Sequence, residues 1–73
     1  MVKTRDEHLE WCKQQARYYL DRGKAADAIA SMMSDLGKHP DFEGIEAKMA
    51  PLGLFYAIQG DIEDARRFVE GFR

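Results

Sequence analysis

Between Ala25 and Leu36 the apolar residues Ala25, Ala28, Ile29, Met32, Met33 and Leu36 recur at spacings of three and four, which gathers them on one side of an α-helix. Lys24, Asp27, Ser31, Ser34, Asp35 and Lys38 fill the remaining positions, so the pattern predicts an amphipathic helix over about 24–37. Gly37 and Pro40 mark its end, the glycine as a left-handed terminator and the proline as a residue that cannot continue the helix. Upstream, Cys12, Ala16, Tyr19 and Leu20 form a second stripe that stops at Gly23. Thr4 with Glu7 three residues later is a capping-box pattern, and Asp6 and Glu7 place negative charge at the positive end of the helix dipole. A helix over about 5–22 is therefore predicted, folded back at Gly23 against the next as an antiparallel hairpin.

Beyond Pro40 the pattern changes. Gly44 and Pro51 interrupt the stretch 41–59, predicting a short irregular turn at 41–44 and helix from about 45 to 59, in which Pro51 either kinks one helix or starts a second piece. Leu52, Phe55, Tyr56 and Gln59 point one way and Leu54, Ala57 and Ile58 another, so this segment is apolar nearly all round, as a central core helix or half of an interface would be. Gly60 and Asp61 separate it from a last helix at 61–72 with an apolar stripe of Ile62, Ala65, Phe68, Val69 and Phe72. The predicted fold is all-α, four short helices packed as two antiparallel helical hairpins in a single domain over 1–73. Its predicted core is Leu9, Cys12, Ala16, Tyr19, Leu20, Ala28, Ile29, Met32, Leu36, Leu52, Phe55, Tyr56, Ile62, Ala65, Phe68 and Val69.

Composition narrows the function classes. A chain of 73 residues buries only about 60 % of the surface it exposes when unfolded, and such small helical domains often recover stability by association. The net charge of −2 is mixed along the chain, with five basic against four acidic residues in 1–23 and one against three in 41–60. Neither a basic nucleic-acid footprint nor an acidic DNA mimic is indicated. The single cysteine and the lack of a signal-like or membrane-spanning apolar run lead us to expect a cytoplasmic protein with no membrane partner.

Candidate chemistry is sparse. His8 and Cys12 lie four apart on one helix and could share a metal with His39 or Asp41, but no second ligand pair supports it, and free cysteine usually behaves as a small apolar residue. As a nucleophile, Cys12 lacks an orienting acid and an oxyanion hole. Ser31, Ser34 and Asp35 read as the solvated side of their helix. Asp61, Glu63 and Asp64 read as helix-start acids rather than a calcium loop. No catalytic, cofactor-binding or metal residue is assigned, and the chain is not expected to be an enzyme.

Two resemblances bear on organisation. YLDRGKAADAIASM and YAIQGDIEDARRFV each carry Tyr four residues before Gly and Ala five after it, with Met32 and Val69 in equivalent places. Gly53 stands seven before Gly60 as Ala16 does before Gly23, and Pro40 closes the first unit. This resembles the tetratricopeptide repeat in degenerate form, with a period of 37 residues against the usual ~34 and no closing proline in the second copy. Separately, HLEWCK near the start, SMMSDLGKHP in the middle and EGF near the end resemble a group of small uncharacterised proteins of tailed bacteriophages. That resemblance implies a phage origin and the host-cell cytoplasm, and no activity.

The functional expectation is a small protein-interaction module that engages or inhibits a host protein, or binds itself as a homodimer. The alternative is a small enzyme or ligand-binding domain whose site a single sequence does not display. The predicted interaction residues are Ala47, Ala50, Leu54, Ala57 and Ile58, left over when the hairpins close, with Trp11 and Tyr18 as an aromatic flank on the first helix. In the repeat-like register the corresponding face of the first hairpin is Glu10, Lys13, Arg17 and Asp21, polar throughout.

Overall fold

The computed structural model describes residues 4–72, apart from the side chain of Glu46. Four α-helices follow one another, α1 (Arg5–Leu20), α2 (Ala25–Leu36), α3 (Ile45–Gln59) and α4 (Ile62–Glu70), with a 3₁₀ turn at Pro40–Phe42 between α2 and α3. No strand occurs among the described residues. α2 is the hub: it packs against α1 most extensively, then against α3 and α4, while α3 touches α4 only lightly and α1 least of all.

Each boundary has a local cause. Thr4 accepts from the Glu7 amide at 3.2 Å while the Glu7 carboxylate accepts from the Thr4 amide at 3.1 Å, a complete capping box. At the other end of α1, Gly23 adopts φ 73°, its amide bonds the Leu20 carbonyl, and the Lys24 amide reaches back to Tyr19 at 2.9 Å. This pair of bonds is a Schellman motif, and it turns the chain into α2. α2 ends differently from the expectation. Gly37 stays right-handed at φ −67°, and the Lys38 and His39 amides bond the carbonyls of Asp35 and Leu36. The last turn thus tightens into 3₁₀ geometry until Pro40 stops it, with no left-handed residue needed.

His39 then caps the 3₁₀ turn, its Nδ1 accepting from the Asp41 amide at 3.0 Å, and Pro40 occupies the first position, where a missing N–H costs nothing. This turn swings Phe42 into the core at 6 % exposure, a burial that the sequence reading of an irregular turn did not include. α3 is one continuous helix with Pro51 in its interior, which settles the two possibilities left open for that residue. Asp61 caps α4 by accepting from both the Glu63 and Asp64 amides.

The core consists of Leu9, Cys12, Ala16, Leu20, Ala25, Ala28, Ile29, Met32, Leu36, Phe42, Ala65, Phe68 and Val69, with Tyr19, Met49, Tyr56 and Ile62 half-buried against it. Two predicted members are corrected: Leu52 is 43 % and Phe55 54 % exposed. Apolar residues surround α3, so its periodicity carries no information about which side faces inward. What decides is size. α3 turns Gly53 toward α2 and α4, where a Cβ on this glycine would stand 3.5 Å from Ile29 and 3.6 Å from Met33 of α2 and 3.7 Å from Phe68 of α4. A helix presenting its smallest residue can approach its neighbour closely, and Leu52 and Phe55 are thereby left on its flanks.

Candidate functional site

With Gly53 inward, the opposite side of α3 carries Ala47, Pro51, Leu54 and Ile58 at spacings of three and four, with Phe55 beside them, and all five are exposed. Leu54 is 62 % and Ile58 77 % exposed. Where α3 meets α2, Ala50, Gly53, Leu54 and Ala57 together with Ala26, Ile29, Ala30 and Met33 of α2 line a groove of about 290 Å³ without a single charged side chain. Pro51 adds a detail to this face. Lacking an N–H, it cannot donate the ordinary intrahelical hydrogen bond to the Ala47 carbonyl.

The five predicted α3 residues are thus brought together, Ala50, Leu54 and Ala57 in the groove and Ala47 and Ile58 further round the same helix. The α2 contribution, Ala26 and Ala30, was not predicted. Both fall outside the apolar stripe of α2, and their exposed methyl groups become part of a surface only because α3 packs alongside. A second apolar hollow of about 260 Å³ lies between α3 and α4, lined by Met49, Leu52, Tyr56, Phe68 and Phe72, with Arg67 at its rim.

Trp11 and Tyr18 do not join this face. α1 packs against α2 and α4, and Trp11 and Tyr18 are both occupied locally. Trp11 is half-buried and stacks on His8 at 6.0 Å between ring centres. Tyr18 carries the Arg22 guanidinium 3.5 Å above its ring, a cation–π arrangement on the surface of α1.

The polar face of the first hairpin is likewise not a free surface. Arg17 binds both carboxylate oxygens of Glu70, at 3.1 and 2.7 Å, and Glu10 at 2.9 Å. Lys13 donates to the Glu70 carbonyl at 3.2 Å, and Arg66 lies 3.8 Å from Asp21. These residues clasp α4 to α1. The Arg17 guanidinium holds the Glu70 carboxyl below its ordinary range, against the opposing effect of burial, and the hydrogen bonds to Glu70 and Glu10 raise Arg17 above its own.

The histidines and the cysteine form a compact internal cluster. His8 is buried, with Nε2 2.8 Å from the Asp35 backbone carbonyl and 3.4 Å from Cys12 Sγ. A carbonyl only accepts, so Nε2 carries the proton and donates it to Asp35. The same nitrogen cannot then take a proton from the thiol, and His8 does not serve Cys12 as a base. His39 packs its ring 5.1 Å from that of His8, and Arg5 lies 4.8 Å over the Phe42 ring. Among the described residues no group of three or more His, Cys, Asp or Glu is arranged to hold a metal ion. The Asp35 side chain, expected on a solvated surface, is 15 % exposed and ties Lys38 at 3.0 Å and Ser31 at 3.3 Å to the end of α2.

No helix among the described residues is long and apolar enough to cross a membrane. Compared with known proteins, the chain matches no family model, no curated protein and no solved structure.

Proposed function

We propose that this chain is a small protein-interaction module that docks through the outer face of α3 and the groove α3 shares with α2. One observation carries the reading: Leu54 and Ile58, 62 % and 77 % exposed, line up with the exposed Ala47 and Pro51 on one side of α3, with Lys48 only at its edge. A contiguous apolar patch on a small protein is costly to leave in water and generally marks an interface. The enclosing polar network is spent elsewhere, in the clasp between α1 and α4 and in the caps, and supplies no set of convergent reactive groups around the face. The likeness to small proteins of tailed bacteriophages points to the host cytoplasm as the setting and to a host protein, engaged or inhibited, or a second copy as partners that such a face would serve.

The test is capture of protein, the chain's own copies included, on immobilised parent and on an Ile58→Glu variant. A partner retained in stoichiometric amount by the parent and lost by the variant supports the module, because a carboxylate is strongly disfavoured in a dry interface. Equal retention by both, or a copurifying small molecule with no protein, contradicts it.

A further inference from the structure

The occupant of this face, we infer, is a second copy of the chain, with α3 crossing its counterpart near Leu54 about a two-fold axis. The inference rests on the reading of the face as a docking surface and adds the partner.

Area is the first argument. A stable interface draws about 800 Å² from each partner, roughly a sixth of the 4754 Å² that the chain exposes. At no more than roughly 200 Å² for each side chain, the aromatic value, the exposed fractions of Leu54, Phe55 and Ile58 offer at most roughly 400 Å². That is at most about half the patch, and Ala26, Ala30, Ala47, Ala50 and Pro51 surround it with further exposed apolar surface. α3 is 15 residues long, or about 22 Å at 1.5 Å per residue, so one helix-pair face spans the contact without help from elsewhere.

Charge is the second. A surface laid on a copy of itself opposes each charge to a like charge, which ordinarily prevents self-pairing. The groove between α2 and α3 has no charged lining residue, so the centre of this face meets no such obstacle, and the exposed Lys48 of α3 lies at its margin beside Phe55. Shape is the third: the exposed Leu54 borders a groove whose lining is otherwise mostly small, with Gly53, Ala26, Ala30, Ala50 and Ala57 beside Ile29 and Met33. Knob and hole adjacent in one face are what an isologous contact requires, since the two-fold axis lets each copy's Leu54 enter the other's groove.

Sedimentation velocity on the intact chain, from about 1 to about 100 µM to bracket the micromolar affinity of a small interface, tests it together with one engineered cysteine. Cys12 is buried, so Leu54→Cys introduces the reactive thiol. The parent should move from monomer to dimer across this range. Leu54→Glu and Ile58→Glu, with helical circular dichroism unchanged, should remain monomeric and weaken association at least ~10-fold, and Leu54→Cys should oxidise to a covalent dimer where Gln14→Cys on α1 does not. A parent that is monomeric throughout, with Ile58→Glu still losing a captured foreign protein, overturns self-pairing and leaves the interaction module standing. A dimer that survives both glutamate substitutions overturns the two together.

Discussion

At the scale of single residues, the most constrained positions are small ones. Ala16 and Ala28 are both fully buried, on the two helices that pack most extensively. Ala28→Leu adds three carbons where there is no room, and overpacking of this kind costs about 1–3 kcal/mol; denaturant titration should show that loss, and an unchanged midpoint would place the α1–α2 crossing elsewhere. The Arg17–Glu70 pair behaves differently because its side chains are 34 % and 40 % exposed. Glu70 titrates lower in the fold than its ordinary value of 4.5, so its contribution is complete above that value and is lost as the pH falls through the depressed one. Solvent screening keeps such a surface pair below about 1 kcal/mol. In Arg17→Met the Glu70 carboxyl should titrate back toward its ordinary range, followed by NMR, with little change in melting temperature at neutral pH. A Glu70 midpoint that stays put would show that another group holds it down.

At the scale of elements, most termini are legible because they are written in local chemistry; the right-handed end of α2 at Gly37 and the end of α4 at Glu70 rather than 72 are the exceptions. Thr4 with Glu7, Gly23, Gly60 and Asp61 each do what the pattern predicts, and α3 begins and ends within the predicted 45–59. The inward side of α3 was not legible, because hydrophobic periodicity locates a buried face only on a helix that also has a polar one. Leu52 and Phe55 were accordingly assigned to the core and lie outside it. The small residue of α3, Gly53, is the one that is buried, as Ala16 is on α1. The burial of Phe42 and of both histidines was also beyond the pattern, since it depends on a 3₁₀ turn that one side-chain cap and one proline build. Gly53 itself yields a prediction. Its added Cβ would sit at ordinary contact distances of 3.5–3.7 Å, and alanine is favoured over glycine in a helix interior by about 0.5–1 kcal/mol. Gly53→Ala should therefore stabilise the fold by about that amount, raising the melting temperature by about 2–8 °C. A clear loss of stability would mean that α2 and α3 lie closer together than described.

At the scale of the whole molecule, the four helices divide their labour. α1, α2 and α4 meet around a common core, with the Arg17 clasp on one seam, whereas α3 contributes Gly53, Met49 and Tyr56 inward and an unbroken apolar side outward. A core helix apolar all round would have both sides covered. Here one side is open, and the proposed docking face rests on that exposure. The thermal melt of the double variant Leu54→Glu/Ile58→Glu, at high dilution beside the parent, tests that division most directly. If the outer face belongs to a partner, the variant stays helical and melts cooperatively within a few degrees of the parent, since surface substitutions change stability by about 0.5 kcal/mol or less. If instead Leu54 and Ile58 pack into the core, two buried carboxylates leave the variant unfolded at room temperature, and the account of α3 as a docking helix fails.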